Sequence, residues 1–129
     1  MWDSLARKYG VELIEKDGMF IARKGSLEVT SKIVDDKVVV RVNTLPYTAV
    51  IQPTKDGVVN TVYLGVLPIA QVKYRVEPQD FSDKIKCIAR GLATLLIIAL
   101  ILTILFPGFA LILLLVGPLI VILLCMAWG

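Results

Sequence analysis

Histidine is absent from all 129 residues. That removes the commonest general base and the commonest metal ligand, and it excludes every histidine-based catalytic triad. Cysteine occurs only at Cys87 and Cys125, too few for a four-ligand zinc site. Neither GxGxxG nor GxxxxGK[ST] is present, so no glycine-rich phosphate loop is expected. Aromatic residues make up 8% and do not interleave with the basic ones as a base-stacking platform would. Nucleic acid is therefore not an expected partner. Asn and Gln total five while Val, Ile and Lys are abundant. Depletion of thermolabile amides with Lys enrichment points to a thermophilic, archaeal or archaeal-virus, setting.

The remaining absence is local. All 14 Lys and Arg and all 11 Asp and Glu lie between Asp3 and Arg90, and Gly91–Gly129 carries no charge. The hydrophobic fraction, 57%, exceeds the 45–50% usual in soluble domains. A bilayer core about 30 Å thick needs ~20 apolar helical residues at 1.5 Å each. Cys87–Phe106 and Phe109–Trp128 each have that length. Pro107 and Gly108 between them supply a helix stop and a residue tolerant of positive φ. The expected arrangement is a transmembrane helical hairpin over 87–129, with helices 87–106 and 109–128 and the turn at 107–108. Its turn is uncharged, so a shallower, tilted insertion is the alternative. Gly117-Pro118 adds a kink. The apolar stretch follows a polar Met1–Gly10 and is not expected to be a signal peptide.

Lys84, Lys86 and Arg90 precede the first apolar helix. Positive flanks stay on the cytoplasmic side, so the polar part and both termini are expected there, or inside a particle. Lys84, Lys86, Arg90 and an interfacial Trp128 are the expected membrane-surface contacts. Ala89 and Ala93, and likewise Ala99 and Thr103, are four apart and share a helix face. Small residues of this kind permit close helix packing, against the second helix or another copy. No ionisable group lies deep in the spans, which argues against an ion or proton pathway. In a hairpin centred on Pro107-Gly108, Cys87 faces Trp128 and Cys125 faces Arg90. That three-residue offset predicts two inert thiols rather than a disulfide.

Met1–Gln79 reads as a soluble β-rich domain. Trp2, Leu5, Ala6 and Tyr9 fall at helical spacing, and Gly10 ends that short helix. Period-two alternation follows over Leu27–Ile33, Lys37–Val42, Val58–Val66 and Ile69–Val76, the mark of half-buried antiparallel strands. Asp17-Gly18, Asp35-Asp36 and Lys55-Asp56-Gly57 fit tight turns. Pro46, Pro53 and Pro68 imply bent or edge strands. The expected fold class is an α+β membrane protein: a short helix, then an antiparallel β-meander of six or seven strands closing into a small barrel or a curved sheet, then the hairpin. Residues 80–86 are expected as a linker and basic juxtamembrane segment, with Ser82 or Asp83 capping the next helix. Glu12, Glu15 and Asp17 are expected on a solvated face of the first hairpin.

No catalytic, cofactor-binding or metal-binding residue emerges from this reading, so no enzyme and no cofactor are expected. The expected function is a structural or assembly protein anchored in the bilayer and oligomerising through hairpin and β domain. A coat or adaptor of a membrane-containing virion fits, as does an accessory subunit of a membrane complex. The alternative is a membrane-tethered binding module whose sheet recognises a peptide or nucleic acid.

Overall fold

The computed structural model describes residues 2–103 and 109–128. The expected turn residues Pro107 and Gly108 lie outside the described residues, as does the Trp128 side chain. The chain begins with helix α1 (Trp2–Lys8) and continues through seven strands. These are β1 (Glu12–Lys16), β2 (Met19–Lys24), β3 (Leu27–Val34), β4 (Lys37–Val42), β5 (Tyr47–Pro53), β6 (Val58–Leu64) and β7 (Leu67–Tyr74). Helices α2 (Pro78–Asp83), α3 (Ile85–Leu102) and α4 (Phe109–Trp128) complete it.

The strands form one sheet in sequence order, each antiparallel to the next. Of the two expected forms, this is the open one, with β1 and β7 at its edges. The turns follow backbone sterics. Asp17, Gly18 and Asp35 take positive φ (48°, 75° and 58°), a region open to Gly and tolerated by Asp. Pro68 sits on edge strand β7, next to a register shift at Val62/Tyr63, where a missing N–H costs no central ladder bond.

Alternation sorts the strands into two faces. One carries Phe20, Ala22, Val29, Val40, Ala49, Ile51 and Val62, all buried. The other carries Lys32, Arg41 and Lys73, which are exposed. The apolar face is covered by the helical layer: α3 lies over β2 and β3, and α4 over β5, β6 and β7. Ile88, Leu92, Leu96 and Ile97 of α3 are buried in the same core as the sheet residues. Each contributes roughly 1.5–3 kcal/mol by removal from water. The segments 1–79 and 87–129 therefore share one hydrophobic core.

Two expectations about connections are corrected. Residues 80–86 are not a linker. Pro78 starts a helix at a position where no N–H is needed, and Phe81 of that helix is fully buried. Ser82 and Asp83 do not cap α3, because they already belong to α2; Lys84 occupies the cap position with no side-chain cap bond. The second correction is at the cysteines. Cys87 and Cys125 are disulfide-bonded with Cα atoms 6.1 Å apart. A Cβ on Gly91 would meet Val121, so both pairs fit one antiparallel register, displaced three residues from one centred on Pro107-Gly108. That displacement cancels the offset that argued against the bond.

Candidate membrane-contact surface

A helix that is apolar all round gives no hint of which face it buries. The structure supplies the answer for α4. Ala110, Leu114, Val121, Ile122 and Cys125 are buried, and Gly117 and Pro118 with them. Phe109, Ile112, Val116, Ile120 and Leu123 are exposed, each by 45–54%, and Ala127 continues the row. From 109 to 127 these positions cover 18 residues in five steps, the 3.6-residue period of a straight helix. A coiled-coil seam would need 3.5. Small residues, which helix pairing in lipid favours, sit on the buried side, while the exposed row up to Leu123 is bulky. Half-buried Leu113, Leu119, Leu124 and Met126 flank the row, so it has no polar margin.

The carbonyl left free by the proline inside α4 is served by the sheet. Pro118 has no N–H, so the carbonyl of Leu114 loses its helical donor. Asn60 on β6 replaces it: its Nδ2 donates to Leu114 O at 2.7 Å and to Tyr74 Oη at 3.0 Å. The Tyr74 hydroxyl in turn donates to Leu115 O. Burial raises the Tyr74 pKa, and the hydrogen bond with Asn60 opposes this in part. Both side chains are buried, so the polar pair fixes where α4 lies on the sheet.

The sequence-predicted contact residues divide. Lys86 is exposed and Lys84 half-buried at the start of α3. Arg90 turns inward instead. Its guanidinium pairs with Asp3 of α1 at 3.7 Å and with Glu15 of β1, and it stacks 5.4 Å from the centre of the Phe20 ring. Glu15, expected on a solvated face, is exposed and also reaches across to Arg90 of α3. Register explains it: Glu15 is opposite Phe20 and so shares the covered face. Ala89 and Ala93 are fully buried, and Ala99 is half-buried. Thr103 Oγ1 returns its hydrogen bond to Ala99 O at 2.6 Å.

Sequence reasoning missed the glycine that governs helix approach, Gly91. A Cβ on Gly91 would sit 2.5 Å from the Trp2 ring and 2.7 Å from Val121 Cγ1. Glycine inside a helix costs about 1 kcal/mol against Ala, and that cost was the available sign of a packing role. Trp2 also donates from Nε1 to Cys87 Sγ at 3.4 Å, joining α1 to the disulfide.

Two of the surface clefts combine acidic and basic side chains. One of about 340 Å³ is lined by Trp2, Glu15, Phe20, Lys86, Cys87 and Arg90, and its charges are of both signs. Another, about 630 Å³, is lined by Asp56, Lys73, Tyr74, Arg75, Val76 and Glu77, with Lys73 3.6 Å from Asp56. Among the described residues no group of three or more His, Cys, Asp or Glu is placed to hold a metal. Comparison with protein-family models, curated proteins and solved structures finds no match to this chain.

Proposed function

We propose that this chain is a non-catalytic membrane protein of structural or assembly type, embedded in the bilayer through one face of its helical layer. The observation that carries the reading is the exposed row of α4, a bulky apolar face with the period of a straight helix. Water penalises such a face and lipid does not. Both α3 and α4 have the length and hydropathy of a membrane span, but the sheet lies along their other side. Upright insertion of this unit would carry Lys32, Arg41 and Lys73 into hydrocarbon, each at a cost of ~2.5–3.5 kcal/mol on the lenient scales. Lying along the surface, with α4 in the lipid and the charged sheet face in water, avoids that cost. The shallow alternative is thus the better supported one.

The disulfide holds the start of α3 beside the end of α4, and Lys84 and Lys86 at that end favour the anionic cytoplasmic leaflet, or the particle-interior one, through contact with its headgroups. Assembly with copies or other subunits falls to the sheet, since Ala89 and Ala93 are already used within the chain. Flotation of the full chain with liposomes tests the reading. Wild type should float with the vesicles, and I112K/V116K/I120K should remain at the bottom with an unchanged circular dichroism spectrum. Equal flotation of both proteins would overturn it.

A further inference from the structure

We infer that the β6–β7 hairpin tip is a second membrane-inserting element, on the same side of the molecule as α4; this rests on the lipid-facing reading of α4. Charge is the first ground. Residues 57–72, the whole of β6, the turn and most of β7, contain no Asp, Glu, Lys or Arg. Strands β1 to β4 each carry at least one such residue, and β5, the neighbour of β6, carries none. Pro68 and the register shift at Val62/Tyr63 blunt this edge against strand pairing, and the absence of charge leaves nothing on the tip that lipid would reject.

Exposure is the second ground. Val66 at the turn is 97% exposed and Leu67 62%, with Leu64 and Ile69 at 43% and 40%. Leu64, Val66 and Leu67 are thus exposed within four residues, next to Pro68; Ile69 is the unpaired residue at the register shift. Gly65 takes φ +64°, which makes the turn tight and sends Val66 outward.

Direction is the third. Leu64 pairs with Leu67 across the hairpin and with Tyr47 of β5. Alternation along β6 puts Leu64 on the face of Val58, Asn60 and Val62, the face on which α4 lies. Leu64 and Leu67 therefore continue the helical side of the sheet beyond the part α4 covers. Tyr47, half-buried behind them, is a residue type that favours the headgroup level.

The occupant these features fit is the bilayer rather than a protein groove. The tip is continuous in chemistry with the α4 row, has no charge or hydrogen-bonding side chain for a partner to recognise, and meets α4 through the same two strands. Unpaired turn backbone cannot enter hydrocarbon without penalty, so insertion is confined to the side chains of Leu64, Val66 and Leu67. Two contacts, a helix row and a hairpin tip, would fix the orientation of the sheet on the membrane.

The test uses the full, disulfide-intact chain, in which an introduced cysteine is the single free thiol. V66C, I120C and K37C are each labelled with an environment-sensitive fluorophore and mixed with phosphatidylcholine–phosphatidylglycerol vesicles carrying acyl-chain nitroxides. Lys37 follows the β3–β4 turn, at the opposite end of the sheet from Val66. Quenching at 66 and 120 with none at 37 is the expected result. Quenching at 120 but not at 66 overturns the inference and leaves the α4 reading standing. No quenching at 66 and 120 overturns both, and so does quenching at all three. V66D/L67D should also weaken vesicle partitioning roughly tenfold or more, with an unchanged circular dichroism spectrum. Unaltered partitioning would contradict the inference.

Discussion

Replacing Asn60 by Leu removes the donor that serves the Leu114 carbonyl at 2.7 Å. Leu has the same branched heavy-atom skeleton as Asn, so no cavity opens and the loss is mainly polar. Pro118 deprives that carbonyl of its helical partner, and the site is buried, so the carbonyl is left unpaired at a cost of ~1–3 kcal/mol. Removing Asn60 Oδ1, which itself has no hydrogen-bond partner, offsets part of this. A net loss of about 1–2 kcal/mol is expected, or roughly 3–6 °C in Tm for a chain this size. The informative step is the second background. P118A restores an N–H to bond Leu114 O within α4. In that background N60L should cost at least 1 kcal/mol less. Unfolding of the four proteins in mild detergent, followed by circular dichroism, closes the cycle. Additive effects, with no coupling between the two positions, would refute the claim that Asn60 serves the carbonyl freed by Pro118.

Three further outcomes are expected. G91A should destabilise by ~1–3 kcal/mol despite the better helix propensity of Ala, because its methyl meets the Trp2 ring. G117A meets only the end of Leu96 at 3.3 Å and should be nearly neutral or stabilising in the same melts. Tyr74 contributes stability that is fully present below the unfolded tyrosine pKa of about 10. That stability is lost as pH rises from there through its raised folded value, since burial favours the neutral phenol in the native state. Wild type should therefore lose stability above about pH 10 more steeply than Y74F, and parallel alkaline profiles would refute this. Finally, the disulfide closes a separation of 38 residues, worth about 4 kcal/mol in the loop-entropy picture. Reductant should lower Tm, and thiol titration in denaturant should find free thiols only after reduction.

Much of the sheet was legible because its physics is local. Alternation at Leu27–Ile33 and Lys37–Val42, with Asp-Gly and Asp-Asp turns, specifies antiparallel pairing between chain neighbours, and a meander needs nothing more. The two apolar helices were legible for the same reason. How the helices meet the sheet was not. A segment such as Phe109–Trp128, apolar on every side, carries no periodic signal to say that Leu114 is buried and Val116 exposed. Arg90 illustrates the other gap. Its place beside Lys84 and Lys86 suggested a lipid headgroup, but its partner Glu15 is 75 residues away and becomes visible only when β1 is set beside α3. The Cys87–Cys125 bond turned on a three-residue displacement of helix register, which composition does not encode.

The depth of α4 in the membrane tests the central claim most directly. Spin labels at residues 112, 116, 120 and 123 of the full chain, in liposomes, report depth through the ratio of oxygen to polar-relaxer accessibility. A helix lying along the surface holds all four at one depth, with residues 114 and 121 shielded from both reagents, and that is the predicted result. An upright span would change depth by about 1.5 Å per residue, giving a steady gradient or a central maximum across the four sites, and that profile would contradict the account.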